Sequence, residues 1–150
     1  MAARATALDS EDVEIIERET VHLLGPSLTT DLADLPVEVP ALWRRAFEGH
    51  EDPDSILAEL DEEQPEGSGY AYRITAGVLL PGPTEETTEV PAGRWLHHRH
   101  HGPAEDIGAT YESMFEHAAD QGIALTGLRL DVGYRADGSE TTHDLYLQLA

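Results

Sequence analysis

The apolar positions of the chain change period several times, and each change marks an element. Residues 13–24 (VEIIERETVHLL) are rich in β-branched side chains and partly alternate, which predicts a strand closed by Gly25-Pro26. From Pro36 the period lengthens. Val39, Leu42, Trp43, Ala46 and Phe47 fall on one stripe of a short helix that ends near Gly49. Asp52-Pro53 opens a second short helical piece, with Ile56, Leu57 and Leu60 on its inner side. Residues 61–69 (DEEQPEGSG) read as loop. Residues 70–80 (YAYRITAGVLL) form a strand closed by Pro81-Gly82-Pro83, and a more polar strand covers 85–90.

The strongest local signal runs over residues 89–120. A strand at 94–101 stops at Gly102-Pro103 and turns into an amphipathic helix. Gly102 is placed at the N-cap and Pro103 at the first helical position, where its missing N–H costs nothing. Glu105 and Asp106 suit the positive end of the helix dipole. Ile107, Tyr111, Met114, Phe115 and Ala118 recur on one stripe until Gly122 ends the helix. A long strand follows over 123–135, with Leu128, Leu130, Val132 and Tyr134 on one face. A turn at 136–139 (ADGS) leads to a closing strand, 144–149, with Leu145, Leu147 and Leu149 in register.

The element order is strand, helix, strand, strand, repeated once. Two short matches support a repeat: ITAGVLLPG at 74–82 aligns both glycines with LDVGYRADG at 130–138, and VHLLGP at 21–26 mirrors HRHHGP at 98–103. The expected fold is α+β: two βαββ halves about a pseudo-twofold axis, an antiparallel sheet covered by helices. Residues 1–11 are read as a flexible N-terminus and 12–150 as a single domain, with halves of about 12–90 and 91–150.

Composition narrows the function. Thirty acidic residues oppose nine basic ones, a net charge of −21, and all nine bases are Arg. Such a surface repels nucleic acid, whose backbone needs basic residues to displace its counterions. Acidity spread along the chain without lysine points to a halophilic protein, adapted to high internal salt that screens its self-repulsion. Under that reading most individual acids serve solvation, so acid pairs say little about catalysis. No run approaches a membrane span, and the N-terminus lacks a signal-peptide core, which predicts a cytoplasmic protein. With no cysteine, thiol catalysis and thiolate metal sites are excluded.

The stretch VPAGRWLHHRHHGP, with Tyr111 eight residues on, a helix and then a long hairpin, resembles the GyrI-like, or bacterial effector-binding, domain family. The residues that carry the resemblance are Gly93, Trp95, His100, Gly102 and Pro103, and the likeness extends over about 13–149. It implies two βαββ halves with a ligand groove between them. It also implies a stand-alone domain that binds hydrophobic, often cationic small molecules, some relatives being hydrolases of reactive electrophiles. Members often carry an acid-apolar-Tyr triplet whose Glu lies in the pocket. Here the equivalent stretch is Asp131-Val132-Gly133-Tyr134, with the acid one position further from the Tyr.

A pocket for a flat or cationic ligand needs aromatic walls and a carboxylate. Tyr70, Tyr72, Trp95, Tyr111, Phe115, Asp131, Tyr134 and Tyr146 are the candidates, of which Tyr72, Trp95, Tyr111, Phe115, Asp131 and Tyr134 are taken as the ligand-binding set. Phe115 shares the helical stripe with Met114 and favours the core. Asp131 alternates with Leu130 and Val132, and favours solvent. The run His97-His98-Arg99-His100-His101 offers paired imidazoles on each strand face, but no third ligand at a recognised spacing, so no metal and no cofactor is assigned. Catalysis would need a carboxylate poised beside a Tyr or His, as in Asp131 with Tyr134 or Glu112 beside Tyr111. The leading reading is a small-molecule binder that touches neither nucleic acid nor membrane. A hydrolase using a pocket acid and Tyr is the second. The third is an acidic module that engages a protein partner, a DNA-handling enzyme such as a topoisomerase.

Overall fold

A computed structural model describes residues 13–49, 55–65, 67–69, 71–135 and 142–150. The expected N-terminal end at 1–11, the helix start at Asp52-Pro53, Tyr70 and the turn at 136–139 lie outside the described residues. Among the described residues, nine strands and two α-helices follow one another: β1 (Glu14–Arg18), β2 (Val21–Leu24), β3 (Ser27–Thr30), α1 (Leu35–Gly49), β4 (Ile56–Glu63), β5 (Tyr72–Leu80), β6 (Thr87–Val90), β7 (Gly93–His101), α2 (Ile107–Asp120), β8 (Leu125–Arg135) and β9 (Thr142–Leu149). All pairings are antiparallel, in the order β1-β7-β9-β8-β4-β5-β2-β6, with β3 also on β5.

That order forces the sheet to curl. β1 lies at one edge and β2 next to the other, yet only Glu19 and Thr20 separate them. Such a link spans about 10 Å at full extension, so the two edges must approach one another. The β6–β7 link does the same, and Thr20 Oγ1 accepts a hydrogen bond from the Ala92 N–H at 3.1 Å, tying the two links together. The result is a curled antiparallel half-barrel. Its inner face holds Leu23, Ala58, Leu60, Val90, Trp95 and Leu130. The outer face is covered by the helices: Leu42, Trp43 and Ala46 of α1 pack on Leu57, Ile74 and Ala76, while Ile107, Tyr111, Met114 and Ala118 of α2 pack on Leu96, Leu145 and Leu147.

Several expected elements change on this scaffold. The single strand at 13–24 is two, because its parts join opposite ends of the sheet. Gly25-Pro26 does not end pairing either: β2 and β3 lie on β5 in one continuous register, and Gly25 packs backbone to backbone on Gly77, where a Cβ would stand 2.8 Å from the Gly77 Cα. The helical piece expected around Ile56, Leu57 and Leu60 is strand β4, which runs on into the expected loop to Glu63. It is central, covered on both faces, so its apolar residues lose the alternation that would have marked a strand. Gly102 and Pro103 precede a 3-10 turn at Ala104–Asp106 and do not cap α2 directly; Asp106 N–H donates to the Pro103 carbonyl at 3.1 Å.

Candidate functional site

The site candidates gather on the outer face of β4, β8 and β9, between α1 and α2. Period two sends Leu57, Glu59 and Asp61 of β4 to that face, and Ala58 and Leu60 inward. Antiparallel register sets Glu59 opposite Asp131 and Asp61 opposite Arg129. Next comes an irregularity. Leu57 pairs with Tyr134 and Ala58 with Val132, leaving Gly133 as the extra residue of a β-bulge. Gly133 sits at φ +150°, and a Cβ there would stand 2.5 Å from the Thr142 carbonyl oxygen.

The bulge rotates Tyr134 to the outer face, so it does not line up with Leu128, Leu130 and Val132 as the unbroken alternation predicted. Its ring centroid lies 4.1 Å from that of Trp43, the two planes tilted by 33°, and its hydroxyl donates to Asp131 Oδ2 at 2.5 Å. Asp131 Oδ1 pairs at 2.9 Å with Nδ1 of the fully buried His143. Asp131 is thus 4% exposed, where solvent was expected. Its contacts are one aromatic hydroxyl and one imidazole rather than water.

The acids accumulate. Trp43 Nε1–H donates to Glu59 Oε1 at 2.7 Å. Burial, and then the neighbouring charge of Asp61, push the Glu59 carboxyl well above the usual carboxylate range. Burial also raises Asp61, although hydrogen bonding with Glu59 and the charge of Arg129 pull it back. Arg129 Nη2 meets Asp61 Oδ2 at 2.9 Å. Burial, followed by the charge of Asp131, raises both the Tyr111 and Tyr134 hydroxyls, which therefore stay neutral donors. Tyr111 donates to the Leu130 carbonyl at 3.3 Å.

Beside this cluster lies a cavity of about 170 Å³, lined by Glu63, Tyr72, Phe115, Leu125, Arg129 and Leu147 among others. Phe115 is 41% exposed and opens onto it, a correction to the core position expected from its helical spacing. The stripe of α2 that enters the core uses Ser113 and Met114 instead.

Of the residues singled out from sequence, Tyr72, Tyr111, Phe115, Asp131 and Tyr134 are brought to this one face. Trp95 is not. It lies in the inner core, 0% exposed, with Tyr146 edge-on at 6.4 Å, and the sheet separates it from the cavity. Glu112 is exposed on α2. Trp43, Glu59, Asp61, Arg129 and His143 were missed. His143 carried a readable signal, since it keeps period two with Leu145, Leu147 and Leu149.

The histidine run is divided among separate contacts. The ring nitrogens of His97 face Glu14 and Asp144, each at 2.9 Å. Those of His100 meet Thr110 Oγ1 at 2.8 Å and the Pro103 carbonyl at 3.0 Å. Among the described residues no group of three or more His, Asp or Glu side chains is arranged to hold a metal ion. No helix among them is long and apolar enough to cross a membrane.

The fold and its groove define a class. The model of the GyrI-like small molecule binding domain matches residues 11–146, and the chain belongs to that family. Solved structures agree in fold. An integron cassette protein from the mobile metagenome of Vibrio cholerae superposes with a TM-score of 0.66 at 12% identity, covering 93% of this chain and 97% of its own. SAV2435, solved bound to tetraphenylphosphonium, gives 0.62 at 7% identity over 92% and 93%. A structure described as a hydrolase from Listeria innocua gives 0.52 at 15% identity over 93% and 92%. None of the curated proteins matches the sequence.

Proposed function

We propose that this domain binds a small aromatic molecule, neutral or positively charged, in the cavity beside α2. The observation that carries the reading is the cavity wall itself: Tyr72 and Phe115 supply ring faces, Glu63 lines the same wall, and the buried acid Asp61 stands behind it, paired with Arg129. Aromatic walls with a few convergent polar groups are what a small-molecule site needs, and ring faces and carboxylates both favour cations. The tetraphenylphosphonium bound by SAV2435 is a ligand of that kind. The strand order also supports two halves meeting here, because β2-α1-β4-β5 and β7-α2-β8-β9 hold mirrored places about the β8–β4 pair. In that scheme β5 answers β9 and not β8, so the glycines matched in sequence, Gly77 and Gly133, are not equivalent.

The test is a thermal-shift screen in molar potassium chloride with aromatic cations, neutral aromatics and divalent metals. A ligand selective for the folded state raises the melting temperature with its saturation. Shifts with aromatic compounds that Phe115→Ala diminishes support the reading; shifts with metals alone, or with nothing, defeat it.

A second reading, hydrolysis, is favoured by one contact: the short Tyr134–Asp131 hydrogen bond, which sets a buried carboxylate beside a phenol donor. Turnover of an electrophilic substrate that disappears in Asp131→Asn while binding persists would move the assignment from binder to enzyme.

A further inference from the structure

The Arg129 side chain has an unusual setting for an arginine in an acidic cluster. Its guanidinium carbon lies 5.7 Å from the centroid of the Tyr72 ring and 5.4 Å from that of Tyr111. Both distances fall within the roughly 6 Å over which a ring face attracts a cation. One nitrogen is paired with Asp61 at 2.9 Å. Two aromatic faces and a carboxylate around one positive charge are the parts of an organic-cation site. Here the chain fills that site with its own residue.

Arg129 is nevertheless open to the cavity. Its side chain keeps 25% of its exposure and forms part of the cavity wall with Tyr72 and Phe115. Asp61 pairs with it directly and Asp131 lies two residues along the same strand, so the site would still attract positive charge if the guanidinium left. A buried carboxylate that loses its cation must either find another or take up a proton.

Given that aromatic ligands enter this groove, as proposed above, we propose that Arg129 is a built-in competitor for cations. Its guanidinium occupies the seat that a ligand's charge would take, and this sets the balance between neutral and cationic ligands. Wild-type protein then binds flat neutral aromatics in the open part of the cavity. Organic cations enter only by displacing the arginine.

The experiment compares quinoline, which is neutral at pH 8, with N-methylquinolinium, which has nearly the same shape and a fixed positive charge. Affinities are measured by titration calorimetry for wild type, Arg129→Met and Arg129→Lys. Arg129→Met should raise the affinity for N-methylquinolinium relative to quinoline by about tenfold, the scale of one desolvated cation–ring contact. Arg129→Lys keeps the charge and should stay near wild type. The double variant Arg129→Met/Asp61→Asn should lose the gain, because the carboxylate that Arg129 paired with is removed as well. Should Arg129→Met fail to fold, Arg129→Gln makes the same comparison. A ratio unchanged in the uncharged variant, with quinoline still bound, overturns the competitor role and leaves the ligand reading standing. Failure of both probes to bind any variant overturns both.

Discussion

Asp131 and Tyr134 stand three positions apart on one strand, yet their side chains meet on the same face. In a regular strand they would point to opposite faces. The single extra residue, Gly133, turns one onto the other and closes a 2.5 Å hydrogen bond between them. That bulge decides which side of the sheet holds the acidic cluster's donor.

Gly133→Ala should therefore be strongly destabilising. The backbone at φ +150° disfavours any side chain, and the added carbon would meet the Thr142 carbonyl and the His143 Cα. A loss of about 2 kcal/mol or more is expected from the strain alone, read as a lower urea midpoint at unchanged slope. A midpoint within error of wild type would show that the bulge relaxes without cost.

Asp131→Asn tests the burial of the acid. The carboxylate accepts from the Tyr134 hydroxyl and bonds the ring of His143, whose Nε2 has no partner among the described residues. An amide presents one acceptor in place of two, and moving the His143 proton to Nε2 would bury an unsatisfied donor. The expected cost is about 1–3 kcal/mol, against near zero for a solvated aspartate. Chemical denaturation decides between them.

Much of the frame could be read from periodicity: α1, α2, β5, β7, β8 and β9 all lie close to where the hydrophobic spacing put them. The errors share a physical origin. β4 is buried on both faces, so Leu57, Ala58 and Leu60 look continuous and fit a helix as well as a strand. Once β4 is taken as helix and loop, Glu59 and Asp61 disappear among thirty acids. Asp131 and Tyr134 were both singled out, but alternation counted through Gly133 placed them on opposite faces. A bulge has no periodic signature; its only trace in sequence is a glycine inside a strand. Trp95 stands apart from the others for a different reason, because a strand pattern gives its alternation without telling which face turns inside the half-barrel.

Glu59 gives the molecule a pH signature with a definite sign. Its folded-state carboxyl is raised, by burial first and by Asp61 next, from an ordinary value of 4.5. A raised group contributes its stability below the unfolded value and loses it as pH climbs through the folded one. The melting temperature of wild type minus that of Glu59→Gln should therefore fall as pH rises above about 4.5. Glutamine keeps an oxygen to accept the Trp43 hydrogen bond, so the variant isolates the charge. Asp61 shifts in the same direction and remains in both proteins, which is why the difference, and not the wild-type curve, is the measurement. A difference that is flat with pH would show that Glu59 titrates as it does in the unfolded chain.

Phe115 and Trp95 make the sharpest contrast, since the sequence reading put both in the ligand-binding set and the sheet separates them. Phe115 is 41% exposed at the cavity, while Trp95 is 0% exposed on the inner face with its Nε1–H unpartnered among the described residues. Phe115→Ala removes a ring that packs little of the core, so stability should move by under about 1 kcal/mol. Ligand affinity should fall about five- to tenfold, the worth of one aromatic contact. Trp95→Phe should do the opposite. It trims a filled core at a cost of about 1–2 kcal/mol, softened because an orphaned donor is removed as well. It should leave the affinity for an aromatic ligand unchanged. Paired melting curves and titrations on the two variants give a crossed pattern if the groove lies on the helix-bearing face. Loss of affinity in Trp95→Phe with none in Phe115→Ala would move the site to the interior of the half-barrel.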